Sequence, residues 1–125
     1  MFKKNDHKFQ FQFIEGIQEL VSPFIRVTKS VNGETGTVTF LFVSPTFLEK
    51  KNLSFSFSAL ESLSLISDQE PLKTKDITIF FREGKPFLVK AILILHNSFD
   101  WYNFFYFMSN YSKQSGLSFD GFEKN

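Results

Sequence analysis

Short stretches in which apolar and polar residues alternate dominate the first three quarters of the chain. Phenylalanines at positions 9, 11 and 13 alternate with glutamines at positions 10 and 12, and leucine and serine largely alternate over residues 60–67. A period of two is typical of a β-strand with one buried face. On this basis we predict strands over residues 9–14, 24–29, 37–43, 60–67, 74–82 and 87–95.

Glycine, asparagine and proline separate these strands and mark the ends of a helix. Asn32-Gly33 tolerates positive φ, which favours a hairpin between the second and third strands. A short helical turn is expected over residues 47–51, and a turn over residues 83–86. Asn97 or Ser98 suits the start of a helix and Gly116 its end. Apolar residues fall at helical spacing between them, at Trp101, Phe104, Phe105, Met108 and Tyr111.

Strands followed by one helix predict an α+β fold. We expect an antiparallel β-sheet of about five or six strands, with one long C-terminal helix packed on one face. The 125 residues suit one domain, which we place at residues 9–119, with flexible segments at 1–8 and 120–125. Trp101 lies in the apolar stripe of the helix, so we expect it to anchor the helix to the sheet. Its replacement by alanine should then cost about 3–5 kcal/mol.

Charge and composition narrow the classes of function. The chain has 14 basic and 13 acidic residues, a net charge of +1. Nucleic acid binding needs a concentration of basic residues, so RNA stacking on the aromatic sheet is only a minor alternative. The absence of cysteine excludes disulfides, zinc–thiolate sites and iron–sulfur clusters. The start does not resemble a signal peptide, and no apolar run reaches the ~18 residues of a membrane helix, so we expect any membrane association to be peripheral.

The candidate chemical groups do not form a pattern that indicates catalysis. His7 and His96 lack the spacing of a metal-binding pair. The glycine-rich segment 32–36 joins two strands, whereas a phosphate cradle precedes a helix. Acidic residues are scattered over polar positions, so none is favoured as a general acid or base: Glu15, Glu19, Glu34, Asp76 and Glu83. We therefore predict no catalytic residue, no metal site and no cofactor.

Three blocks of residues, in order and at similar spacing, resemble one known family. The first covers residues 11–40 and includes Glu15-Gly16-Ile17 and Pro23; the second covers 66–91 with Gly84-Lys85-Pro86; the third covers 101–119. Together they resemble the Psb28 family of photosystem II over residues 11–119. The chain departs from that family at Phe24, where aspartate is usual. It also departs in the last helix, which is usually rich in arginine and glutamate in the family. This chain has other residues at those places: Tyr102, Asn103, Tyr106, Ser109 and Asn110.

The resemblance implies a non-enzymatic accessory factor in photosystem II assembly or repair. Such proteins bind an immature complex transiently, near the CP47 antenna protein and the D1 reaction-centre protein, and bind no cofactor or small-molecule substrate. They are peripheral to the thylakoid membrane, on the stromal side in plastids or the cytoplasmic side in cyanobacteria. The 19 phenylalanines, which have AT-rich codons, fit a plastid or an AT-rich cyanobacterial genome. The alternative is a small α+β ligand-binding domain or enzyme, with a cavity under the sheet.

A strand-rich fold can bind a partner through the edge of its sheet. An edge strand carries unpaired N–H and C=O groups, which an extended partner segment can complete by β-augmentation. We expect this contact on the strands that flank the hairpin, at Arg26, Thr28, Lys29, Thr37 and Thr39. An arginine can pair with a carboxylate through two hydrogen bonds, and threonines suit an exposed strand. The alternative is that these residues are solvated and paired only internally.

Overall fold

The computed structural model describes residues 8–49 and 60–116, which form strands and then a helix. In chain order the strands are β1 Gln10–Ile14, β2 Ile17–Gln18, β3 Phe24–Lys29, β4 Gly36–Val43, β5 Leu63–Ile66, β6 Leu72–Thr74, β7 Asp76–Arg82 and β8 Lys85–Leu95. A 3₁₀ turn, Thr46–Leu48, follows β4, and helix α1, Ser98–Ser115, follows β8. The predicted flexible segments lie outside the described residues, apart from Lys8.

The strands form two antiparallel sheets, and this corrects the prediction of one sheet. The first sheet has the order β2-β1-β5-β6 and the second has the order β3-β4-β8-β7. The α+β class with a C-terminal helix is confirmed. The predicted strand 74–82 divides because Thr74 ends β6 in the first sheet and Asp76 begins β7 in the second. One alternating pattern runs through this change of sheet, so periodicity alone could not reveal it.

Aromatic rings fill the space where the inner faces of the two sheets and helix α1 meet. The ring of Phe11, on the first sheet, contacts Phe40 and Phe42 of the second sheet edge-on, with centroids 5.4 Å away in both pairs. The same ring contacts Phe107 and Tyr111 of α1 at 5.1 and 4.8 Å. Edge-on aromatic pairs each contribute about 0.5–1.5 kcal/mol beyond the burial of their area. Eight phenylalanines in the described part of the chain are buried in this core.

Both ends of helix α1 lie where the sequence predicts them. Asn97 is the N-cap, and its Oδ1 accepts a hydrogen bond from the backbone N–H of Asp100 at 2.9 Å. The Asp100 carboxylate accepts in turn from the backbone N–H of His96 at 2.8 Å. Gly116 ends the helix with φ of 80°, a left-handed conformation that glycine adopts without strain.

Trp101 packs against the core and over Gly36 of β4, so it anchors the helix to the second sheet, but it lies at the margin of the core. It is half-buried, whereas the fully buried helix residues are Phe104, Phe107, Met108 and Tyr111. Its indole N–H donates to the carbonyl oxygen of Glu34 at 3.0 Å, in the β3–β4 hairpin. Trp101 thus fastens the first turn of the helix to the hairpin, at the margin of the second sheet.

Candidate functional site

Strand β3 lies at one edge of the second sheet. Among the described residues it pairs only with β4, with Arg26 opposite Thr39, Thr28 opposite Thr37 and Lys29 opposite Gly36. The six pairs run without a register shift. A regular edge strand presents its unpaired backbone groups in one straight row. This row is the candidate site.

Four of the five predicted partner-binding residues share one surface. Arg26 and Thr28 are exposed, and the half-buried Thr37 and Thr39 lie directly across from them, on the face of the second sheet that points away from Phe40. We call this face the outer face. Thr37 and Thr39 belong to an interior strand, because β4 also pairs with β8. They can therefore offer side chains to a partner but no free backbone edge.

Lys29 lies apart from the other four residues. Successive side chains of a strand point to opposite faces, so Lys29 lies on the face opposite to Thr28. Its Nζ is 5.8 Å from the ring centroid of Trp101, within the range of a cation–π contact. The structure thus joins Lys29 to the contact between the hairpin and the helix.

The backbone of β3 alternates between groups that bond to β4 and groups that face the free edge. The N–H of Ser30 donates to the carbonyl oxygen of Thr35 at 2.9 Å. Hydrogen-bonded pairs recur every second residue in an antiparallel ladder, so Thr28 and Arg26 also direct their backbone groups at β4. The groups that face the free edge belong to Ile25 and Val27.

This alternation predicts the pattern of amide hydrogen exchange in β3. In the free protein, the amide hydrogens of Ile25 and Val27 should exchange at least about tenfold faster than those of Arg26 and Thr28, because only the latter pair donate to β4. Residue-resolved exchange by nuclear magnetic resonance measures this directly. Equal protection of all four amides would show that the free edge of β3 is already occupied.

The opposite edge of the second sheet is less regular. Strand β7 shifts register between Phe80 and Phe81, where Phe81 faces Pro86. Proline has no N–H to donate to the ladder, and a bulge at this point accommodates its absence. Bulges also hinder the addition of another strand. Of the two edges of this sheet, β3 is therefore better suited to an extended partner.

Glu19 is a buried carboxyl group, although its sequence context placed it among the scattered polar positions. Only 2% of it is exposed, and its two oxygens accept hydrogen bonds from the backbone N–H groups of Thr46 and Phe47, at 2.6 and 3.0 Å. Burial raises the pKa of Glu19 to about 7, against the lowering effect of these bonds. Glu19 thereby ties the segment before β3 to the 3₁₀ turn after β4. Nothing in its local pattern distinguishes it from an exposed glutamate.

The described clefts do not resemble an active site under a sheet. An open cleft of about 500 Å³ lies on the outer side of the first sheet, lined by residues that include Gln12, Glu15, Glu61 and Lys73. Within residues 8–49 and 60–116, no group of three or more His, Cys, Asp or Glu side chains could hold a metal ion. His96 is exposed, and His7 lies outside the described residues. A second open cleft of about 300 Å³ borders Glu19, Tyr111 and Gln114, whose polar groups already bond to other residues of the chain.

Comparison with known proteins shows similarity along most of the chain. A family model described as Psb28 protein matches residues 11–119. A Guillardia theta protein named photosystem II reaction center Psb28 protein is 40% identical over 108 residues, 86% of this chain and 91% of that protein. Proteins of the same name from Crocosphaera subtropica and Synechocystis are 36% and 34% identical over 110 residues, 88% of this chain and 96% and 95% of theirs. In the part of the chain that the structure describes, no helix has the length and apolar character needed to cross a bilayer.

Proposed function

Because the chain belongs to the Psb28 protein family, we propose that it is a non-enzymatic accessory factor in photosystem II assembly or repair. It binds an immature photosystem II complex transiently, near CP47 and D1. The binding takes place at the stromal side of a plastid thylakoid or the cytoplasmic side of a cyanobacterial one, where the protein is peripheral to the membrane. The names of the similar proteins support the link to photosystem II.

The observation that carries the proposed binding mode is the regular edge of β3. An extended segment of a photosystem subunit would add a fifth strand beside β3 and bond to the backbone groups of Ile25 and Val27. Main-chain hydrogen bonds would supply affinity, and side chains beside the edge would supply specificity. Arg26 is exposed next to the new strand, where its guanidinium can pair with a carboxylate of the partner through two hydrogen bonds. Thr28, Thr37 and Thr39 continue this polar surface across the outer face.

Such a contact is suited to transient binding. An added strand requires few changes in the folded protein, because β3 is already straight and in register with β4. The partner segment must give up its conformational freedom, and this cost lowers the net affinity. A later subunit that holds the same segment more tightly would displace the factor.

A proline at Val27 tests the binding edge. Proline is tolerated on an edge strand where its missing N–H faces outward, but it deprives a partner strand of a donor. The Val27→Pro variant should fold, and its yield with photosystem II intermediates from solubilised thylakoids should fall about tenfold, since a donor is lost and the ring obstructs the new strand. Affinity purification of the tagged protein, with quantification of CP47 and D1, measures the yield.

The matched control is Ile79→Pro, on the other edge of the same sheet. Ile79 is half-buried like Val27. The N–H of Ser44 donates to Phe87 between β4 and β8, so the alternate residues of β8, beginning at Leu88, bond to β7 instead, opposite Phe80 and Thr78. The N–H of Ile79 therefore points away from the ladder. This variant should co-purify at the wild-type yield. Circular dichroism must show both variants folded. A normal yield with folded Val27→Pro would exclude β3 as the contact edge.

A further inference from the structure

Apolar side chains occupy two neighbouring rows on the outer face of the second sheet, at the end distant from the β3–β4 hairpin. Phe24 on β3 lies opposite Leu41 on β4, and Val43 on β4 lies opposite Leu88 on β8, which in turn lies opposite Phe80 on β7. The exposed fractions are 69% for Phe24, 48% for Val43 and 39% for Phe80. We call these five residues the outer-face patch. A contiguous apolar surface of this kind indicates a site of interaction.

Cationic side chains border the outer-face patch. Lys90 lies two residues beyond Leu88 on the same face, with its Nζ 6.0 Å from the Phe80 ring centroid. The guanidinium of Arg82 lies 4.2 Å from the Phe87 ring centroid, at the end of β7. Arg26 lies two residues beyond Phe24 and is exposed. None of these three cations forms an ion pair with a described residue, so their charges are available to a ligand.

We infer that the outer-face patch contacts the lipid bilayer directly. Its apolar side chains would enter the boundary between headgroups and acyl chains, while Arg82 and Lys90 would lie among the phosphates of anionic lipids. Adjacent aromatic and cationic side chains are typical of surfaces that lie in a membrane interface. The balanced net charge of the chain does not oppose this contact, because headgroups within a Debye length respond to the local cations.

Two other occupants fit the patch less well. A protein partner usually inserts aromatic anchors into a concave pocket, but the clefts described on this molecule are lined by other residues. A second copy of the chain, related by a two-fold axis, would bring the cations of one patch towards those of the other. Like charges held together in an interface cost free energy.

Lipid contact is compatible with the proposed binding at β3 and independent of it. The partner segment would approach within the plane of the second sheet, along its free edge. The bilayer would approach perpendicular to that plane, on the outer face. Both surfaces can therefore be occupied at once, and each can be tested without the other.

Vesicle binding by the full chain tests the inference. Flotation with vesicles of equal parts phosphatidylglycerol and phosphatidylcholine should recover the protein, and vesicles of phosphatidylcholine alone should recover much less. The double variant Phe24→Ser/Phe80→Ser should bind the anionic vesicles about tenfold less tightly, because partial burial of two phenyl rings is lost. The double variant Arg82→Gln/Lys90→Gln should lose the preference for anionic vesicles.

The matched control is Phe99→Ser on helix α1, since Phe99 is exposed to the same extent as Phe24, 69%, but lies outside the outer-face patch. Phe99→Ser should bind vesicles like the wild type, and circular dichroism must show all variants folded. Failure of the wild-type protein to bind either vesicle would overturn the inference. The inference would also be overturned if Phe99→Ser lost as much vesicle affinity as Phe24→Ser/Phe80→Ser. If only co-purification with photosystem II fails in Phe24→Ser/Phe80→Ser, the patch contacts a protein, and lipid binding is excluded.

Discussion

Replacement of Glu19 by alanine should lower the free energy of unfolding by about 3–5 kcal/mol. The carboxyl group is the acceptor for the backbone N–H groups of Thr46 and Phe47. A buried donor without a partner costs about 1–3 kcal/mol, and two donors lose their acceptors at once. The space left by the side chain adds a cavity cost. Glu19→Gln keeps one acceptor oxygen, so its loss should be about half as large.

The same carboxyl group should make the stability of the protein depend on pH. Burial raises the pKa of Glu19 from 4.5 to about 7, and the negative charge of Glu49 adds a smaller increase. Between these two values the folded state binds more protons than the unfolded state, so stability falls as the pH rises. The contribution is fully present below about pH 4.5, and on the order of 3 kcal/mol is lost as the pH passes 7.

Urea unfolding at pH 5 and pH 8 measures both the loss of stability in the Glu19 variants and the dependence of stability on pH. The wild-type protein should be more stable at pH 5, and Glu19→Gln should lack most of this difference because it has no proton to release. Glu15→Gln is the matched control, since Glu15 is a nearby exposed carboxyl group. It should retain the wild-type dependence on pH. An unchanged dependence in Glu19→Gln would show that another group is responsible.

Replacement of Gly36 by alanine should lower the free energy of unfolding by about 2–3 kcal/mol. Gly36 is buried and, unlike the other glycines in the described part of the chain, does not have a positive φ. Gly36 is required because a larger residue would not fit beneath the Trp101 ring. A Cβ atom at this position would overlap Cζ2 and Cη2 of Trp101 and lie 3.0 Å from the carbonyl oxygen of Thr28. Overpacking of this kind costs about 1–3 kcal/mol, and displacement of the ring would also break the bond of Trp101 to Glu34.

A double-mutant cycle with Trp101→Ala isolates this contact. Trp101→Ala alone should cost about 2–3 kcal/mol, less than a fully buried aromatic, because the ring is half-buried. In the Trp101→Ala background the new Cβ at position 36 meets no ring, so Gly36→Ala should cost at least about 1 kcal/mol less than in the wild type. Chemical denaturation of the four proteins gives the coupling energy. Additive losses would mean that the indole ring does not pack against Gly36.

The sequence alone determined the type and position of most strands and of the helix. Alternation identified β1, β3 and β4, because a period of two places every second side chain on the buried face. The turn at residues 83–86 and the apolar run at residues 91–95 identified β8. The ends of α1 followed from Asn97 and Gly116, because capping satisfies backbone groups within a few residues of the cap. The predicted turn over residues 83–86 shortened to Glu83-Gly84, with φ of 53° and 81°, and β8 begins at Lys85. The ends of a strand depend on its pairing with neighbouring strands as well as on the conformational preference of its own residues.

Only the tertiary structure decided which of these elements meet and which surfaces stay open. Glu19 is buried because the 3₁₀ turn, 27 residues later, presents two N–H groups to it. Trp101 lies on the hairpin because Glu34, 67 residues earlier, accepts its indole proton. Likewise, the threonines of β3 and β4 have similar patterns, yet only β3 lies at an edge, because β8 pairs with β4. These features depend on contacts between distant residues, and periodicity carries information only about near neighbours.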